Sequence, residues 1–404
     1  MKKTLKLALL ALISALIVGT FTSCNEPDEP TPNVEDLDLV GDITDTKTLK
    51  EGNTYKLLGG LTVKEGGLLV IEKGVTIIAA DNNAVPYILV EQGGKMDAQG
   101  TADKPIVMTA ENKEPGAWGG VHICGRAPIN VSGTALSEIG DAPYGGNIPN
   151  DNSGTLRYIR LEYTGFAFSE EKESNGFTFY GVGNGTTVEY LQSYMGADDG
   201  FEWFGGAVNV KYLVATNSGD DSFDWTEGWT GKAQYLVAYQ DSNMGDEGDC
   251  LIEADNNSKD NFALPISHPK LSNVTLIGNN SPENKKGIRL RAGTQAEIYN
   301  TLVKGKADAI VVETVGTGTS LADGISILDH IYVETRLKSD STFYTQDDFL
   351  ANPNNKVGET INFNNNYVGV IEGGKDLSAD SFFEKAEYKG AVIPSNDWTR
   401  GWTK

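Results

Sequence analysis

The sequence predicts an all-β solenoid, a single stack of short strands wound into successive rungs. Two recurring strings and one composition signal carry that expectation. Gly196-Ala-Asp-Asp-Gly-Phe-Glu-Trp203 returns as Ser218-Gly-Asp-Asp-Ser-Phe-Asp-Trp225, a step of 22 residues from Asp198 to Asp220. A fixed period of that length is the mark of repeats that stack directly on one another. The chain also carries 47 glycines and no long stretch with a 3.6-residue apolar period, which disfavours helices.

Two columns of strands follow from the repeats. The first reads Leu156-Arg-Tyr-Ile159, Val188-Glu-Tyr-Leu191, Val210-Lys-Tyr-Leu213 and Ala233-Gln-Tyr-Leu236, with weaker copies at Leu271 and Ile298. Steps of 22 and 23 separate the middle members, and steps of 32, 38 and 27 place inserted loops elsewhere. The second column reads Phe177-Thr-Phe179, Phe201-Glu-Trp203, Phe223-Asp-Trp225, Cys250-Leu-Ile252, Ile288-Arg-Leu290 and Ile310-Val-Val312. Apolar residues alternate with variable ones there, as in strands with one buried face. Phe201, Trp203, Phe223 and Trp225 are therefore expected in the core. Glu202 and Asp224 are expected to face outward, with the Asp pairs in the turn before them.

The first residues form a different kind of segment. Lys2, Lys3 and Lys6 precede an apolar run from Leu5 to Val18, shorter than the ~20 residues a membrane-spanning helix needs. It reads as a signal peptide over residues 1–23. The following Phe-Thr-Ser-Cys resembles a lipobox, which makes Cys24 the expected lipidated residue and a membrane anchor. Residues 24–47 are acidic and Pro-rich, and are expected to form an extended tether. The β-solenoid is expected over 48–334, with last rungs and a cap over 335–404. That cap includes Trp398, Trp402 and two short helices near Asp347–Leu350 and Ser381–Ala386.

Charge narrows the partners. The chain has 33 basic and 56 acidic residues. Loss of Lys2, Lys3 and Lys6 with the signal leaves 30 − 56 = −26. Such a surface repels nucleic acid and attracts cations. Cys124 and Cys250 are too few for a disulfide framework and are expected to be buried thiols.

The N-terminal units widen the resemblance. Gly67–Ile77, Tyr87–Met96, Ala98–Met108 with its Gly-Thr-x-x-x-Pro-Ile turn, and Trp118-Gly-Gly look like the first rungs of right-handed parallel β-helix proteins. Together with the paired Asp-Asp loops and the ending Asp397-Trp-Thr-Arg-Gly-Trp402, they resemble a family of Bacteroidetes β-helix surface lipoproteins with pectate-lyase-like architecture. The resemblance spans roughly residues 50–404. It implies a lipid-anchored protein on the outer membrane, facing the cell exterior, with a TonB-dependent transporter as a candidate partner.

The acidic ladder is where function is expected. Equivalent carboxylates on adjacent rungs lie about 4.8 Å apart. They repel by ~0.9 kcal/mol in water and by ~3.5 kcal/mol at an effective dielectric of 20. Three arrangements relieve that repulsion: the acids splay into water, a cation bridges them, or some stay protonated. Asp199, Asp221 and Glu247 are the candidate calcium ligands, since calcium takes six to eight oxygens. Asp198, Asp220, Asp246, Asp249, Trp229, Arg289 and Arg291 are the candidate contacts to a polysaccharide or glycan. Trp229, in a Gly-flanked turn, would offer an indole face to a sugar.

Glu202, Asp224, Asp199 and Asp221 are the candidate catalytic acids of a glycoside hydrolase or lyase, because rung spacing approaches the ~5–5.5 Å of retaining enzymes. Gly219-Asp-Asp-Ser222 and Gly287-Ile-Arg-Leu-Arg291 loosely resemble polygalacturonase-type elements, but the Gly-His-Gly element is missing and His268 lies in a loop. His122 and His330 read as structural. Three functions stay open: a glycan binder accessory to nutrient uptake, a polysaccharide-degrading enzyme, and a structural or adhesive protein.

Overall fold

A computed structural model describes residues 37–168, 172–340 and 342–404. Cys24, the signal peptide and most of the expected tether lie outside those residues. In the described chain, 24 strands join by parallel pairing into one continuous sheet that winds round the core, and two small antiparallel hairpins stand outside it. No helix of the described residues is long and apolar enough to cross a membrane.

The rungs from Leu68 to Cys124 use three short strands, and from Gly154 on each full rung uses one long and one short strand. The long strands, from Gly154–Glu162 to Ile327–Val333, stack in seven successive rungs. Each bends at one left-handed residue: Tyr158, Tyr190, Tyr212, Tyr235, Asn273, Asn300 and His330, with φ between 49° and 64°. The bend turns one strand into two faces of the solenoid. Asparagine tolerates that conformation and tyrosine does not. The four tyrosines therefore draw on something else, a stack of rings with centroids 4.3, 4.3 and 4.8 Å apart. Such offset stacks add to the area they bury.

The short strands make the third face. Phe177, Phe201 and Phe223 share register, as do Phe179, Trp203 and Trp225. All six are at most 1% exposed, so the alternating pattern identified the core correctly. The next rung departs from the expected alignment. Asp224 pairs with Glu253 and Trp225 with Ala254, so Ile252 rather than Cys250 follows Phe223. A shift of two preserves the buried face, which is why alternation alone could not detect it.

The solenoid begins earlier than expected, and its last rungs lie within 335–404 as expected. Asp38–Ile43 pairs with the strand Thr54–Val63, and Thr46–Leu49 pairs with Leu68–Ile71. Residues 38–47 therefore form rung rather than tether, with Leu39, Ile43 and Leu49 buried. At the other end Lys356–Val357 still pairs with Tyr332–Val333. The expected helix appears at Gln346–Ala351, opened by a Thr345–Asp348 capping box, and its Phe349 is buried against the last rungs. Ser381–Ala386 is not helical.

The remainder of the C-terminal segment corrects the notion of a simple cap. It runs back along the flank of the solenoid as a strap. Trp402 stands edge-on to Tyr158, and Trp398 edge-on to Tyr212. Side-chain amides on the long strands receive its backbone. Gln192 accepts from Lys404 N–H at 2.9 Å and donates to its carbonyl at 3.1 Å. Gln234 treats Glu384 in the same way, and Asn300 treats Lys375 so. The strap covers this flank, which leaves the short-strand face for the acids.

Candidate functional site: an acidic cavity

The two Asp-Asp turns are tied to each other through backbone. Asp199 accepts the N–H of Asp221 at 2.9 Å, and Asp221 accepts the N–H of Cys250 at 2.6 Å. Each carboxylate so fixes the turn of the next rung, and both residues are 6% exposed. Asp198 and Asp220 flank them. On the adjoining strand Glu202 and Asp224 are register partners, continued by Glu253.

Asp199, Asp221 and Glu202 do not splay into water but are buried, while Asp220 is exposed at the rim. A cavity of about 230 Å³ is lined by Glu138, Glu173, Asp198, Asp199, Glu202, Asp220, Asp221, Asp224 and Glu253, with Asn175 as the remaining wall. Among the described residues no basic side chain lines it. Asn175 donates to Glu202. Among the described residues, Asp224 Oδ1 is fully enclosed and has no hydrogen-bond partner.

Burial and crowding raise the proton affinity of seven of these carboxyls. Burial, then the charges of Glu173 and Asp220, push the Asp198 carboxyl up to about 8. Burial and Asp249 raise Asp220 to about 6. Burial raises Glu138 to about 7, against the Tyr180 hydroxyl that donates to it at 3.0 Å. Asp199, Asp221, Glu202 and Asp224 all rise well above the usual carboxylate range, desolvation being the largest cause in each.

Three clusters bring ligand atoms within 4.8 Å of one another: Asp198–Asp199–Asp220, Asp199–Glu202–Asp224, and Asp221–Asp249–Cys250–Glu253. Two oxygens on one calcium, each ~2.3–2.6 Å from the ion, lie no more than about 5 Å apart. The first two clusters therefore fit a hard cation, and the bare Asp224 oxygen supplies an unmet acceptor. The third fits poorly, because burial pushes the Cys250 thiol well up and a protonated thiol is no calcium ligand.

A family model for a pectate-lyase-like β-helix domain matches residues 41–403. The chain belongs to that family. No curated protein and no solved structure matches it. Membership in the pectate-lyase-like β-helix family agrees with the observed winding and with a polysaccharide-related role, and it assigns no residue.

In this pectate-lyase-like chain, several expected site residues converge and others do not. Asp198, Asp199, Asp220, Asp221, Glu202 and Asp224 share the cavity, and Asp249 joins its third cluster. Glu202 and Asp224 face away from the core, as expected, but into the cavity rather than open solvent, since loops carrying Glu138 and Glu173 stand beside them. Asp246 and Glu247 are not in it. Asp246 sits in an exposed loop accepting from Ser281, and Glu247 borders a different pocket.

Trp229 is corrected outright. It is 1% exposed, its ring stacks on Trp203 at 4.5 Å, and its N–H donates to the Val208 carbonyl. It offers no face to a sugar. Arg289 and Arg291 are held in ion pairs with Glu253, Glu313 and Asp255. They terminate the acidic column and neutralise its far end.

Glu138, Glu173, Asn175 and Glu253 were missed. Glu253 stands 29 residues after Asp224 because an inserted loop breaks the 22-residue step. Glu138 lies beside the small hairpin Ala135–Leu136/Pro143–Tyr144, outside any repeat.

Proposed function

We propose that this pectate-lyase-like β-helix is a polysaccharide-binding surface protein whose acidic cavity holds a calcium ion that takes part in gripping the ligand. One observation carries the reading: nine carboxylates share a cavity of about 230 Å³ with no basic lining residue among the described residues. Leaving the buried Asp199, Glu202 and Asp221 ionised beside Asp198 and Asp224 costs an amount comparable with a domain's whole stability. Protons or a divalent cation must compensate, and the enclosed, unpartnered Asp224 oxygen favours the cation.

Asp199, Glu202 and Asp224 would hold the ion from within, and Asp198 and Asp220 from the rim. When bound, calcium supplies positive charge and open coordination positions for ligand oxygens. The residues themselves order the site: Asp199 and Asp221 fix the turns, and Asn175 orients Glu202. In the same proposal Cys24 is lipidated, the protein faces the cell exterior from the outer membrane, and it assists a TonB-dependent transporter in nutrient uptake.

Melting curves in chelator and in millimolar calcium, paired with retention of a polysaccharide panel, test the reading. Expected is a calcium-dependent rise that Asp199→Asn plus Asp224→Asn removes, with glycan retention lost in parallel. No calcium shift and no calcium-dependent retention refute it.

A hydrolytic reading has one favourable observation, the Asp199–Glu202–Asp224 cluster at close to the spacing of retaining glycosidases. It needs one ionised nucleophile, and all three carboxyls here are pushed towards the protonated form. New reducing ends released by the wild type and not by Glu202→Gln would establish it in place of binding alone.

A further inference from the structure

A second pocket, of about 540 Å³, lies on the other side of the same two turns. Gly196, Ala197 and Gly219 line it, while the adjoining Asp198, Asp199 and Asp220 line the acidic cavity. Ala197 and Gly219 of this pocket are chain neighbours of Asp198 and Asp220 of the cavity, with successive Cα atoms ~3.8 Å apart. A polymer chain reaching the acidic rim at Asp198 or Asp220 comes next to residues adjoining this pocket's lining.

Its chemistry is unlike its neighbour's. Pro115, Met195, Ala197 and Met244 give an apolar lining, with Asn217, Asn243, Asp241 and Glu247 at the polar points. Met195 adopts φ 54°, a left-handed conformation that the next rung gives to Asn217. A methionine there bears a backbone cost that asparagine largely avoids, and Met195 lines the pocket.

The far wall is built rather than loose. Asn279 donates to the carbonyls of Gly245 and Glu247, and Asn284 to that of Asp246. The ammonium of Lys306, a residue only 2% exposed, donates to Gly248 and Asp249 at 3.0 and 2.7 Å. A buried lysine is costly unless its donors are met, and here they fasten the loop that carries Met244. Beneath that loop the Gln240 amide is buried, with neither its nitrogen nor its oxygen partnered.

We infer that this pocket is a subsite for an uncharged sugar unit bearing a methyl group, either a 6-deoxy sugar or an acylated one, within the polysaccharide that the acidic cavity engages. It rests on the proposed function only in taking the ligand to be a polysaccharide. Thioether and proline surface match a methyl group. The two asparagines and Asp241 match ring hydroxyls, and the carboxylates of Asp241 and Glu247 repel an anionic unit.

Methyl resonances of methionine-labelled protein test this in chelator, without the cation. Methyl α-L-rhamnopyranoside should shift the Met195 and Met244 signals and leave the buried Met96 and Met108 unmoved. Its C6-hydroxylated counterpart, methyl α-L-mannopyranoside, should bind about fourfold more weakly, the effect of one buried methyl group. Glucuronate should produce no shift, and Met244→Glu should abolish the Met195 response. Stationary Met195 and Met244 signals at hundreds of millimolar rhamnoside overturn the subsite, as does an equal response to mannoside or glucuronate. A loss of calcium binding with these shifts intact would refute the cation reading and leave the subsite standing.

Discussion

The backbone N–H of Asp221 donates to the side chain of Asp199 across 2.9 Å. This one bond makes the acidic residue of each rung a structural part of the next. It explains why a charge-dense turn can be repeated without the carboxylates escaping to solvent. It also separates two roles within one side chain, since one oxygen holds the turn and the other is left for a cation or proton.

Substitutions at Asp199 should separate those roles. Asparagine keeps the acceptor and removes the charge, so Asp199→Asn should weaken calcium binding by roughly tenfold or more, because affinity follows the ligands' charge count. In chelator the same variant should melt higher than the wild type. Leucine leaves the Asp221 N–H unsatisfied and should cost about 1–3 kcal/mol. Calorimetry with and without calcium distinguishes these outcomes.

Stability of the chelated protein should fall as pH rises. Glu138, Asp198 and Asp220 keep their protons in the folded chain up to about 7, 8 and 6, whereas carboxyls of the unfolded chain release theirs near ~4. Between those limits the folded state binds more protons, so its stability is full below the unfolded values and is lost through the folded ones. A melting temperature several degrees lower at pH 8 than at pH 5 is expected in chelator. Calcium should flatten or reverse that slope, and a rising slope in chelator would contradict the assignment.

Trp229 is a core residue whose loss should be felt as stability. Trp229→Ala removes a buried ring stacked on Trp203 and should cost about 3–5 kcal/mol. Trp229→Phe should keep the fold and any glycan retention. Lost retention in a folded Trp229→Phe protein would return the indole to the binding surface.

Release of the strap should be separable from the acidic cavity. Gln192→Leu orphans the backbone donor and acceptor of Lys404 at about 1–3 kcal/mol. Amide exchange should quicken over residues 398–404 and remain slow in the Asp199–Glu202 rungs. Calcium-dependent retention should be unchanged.

Much of this was legible in the residues themselves. The Phe and Trp columns showed their period and buried face, and the Asp pairs marked neighbouring turns, because stacking forces equivalent residues into contact. The walling of Glu202 and Asp224 into a cavity was not legible. It depends on the loops bearing Glu138 and Glu173, which obey no repeat. The strap's seats were visible only as polar residues at variable strand positions, Gln192, Gln234 and Asn300. Nothing local told that they would be covered.

The amino-acid pattern by itself determined an all-β solenoid, its core aromatics and the place where acid accumulates, since all three follow from a short period and alternation. Tertiary structure alone decided that Trp229 is sealed in the core, that Glu253 joins the acidic column, and that the carboxylates enclose a cavity. Those outcomes depend on inserted loops and the returning strap, whose positions are set by long-range packing and hydrogen bonding.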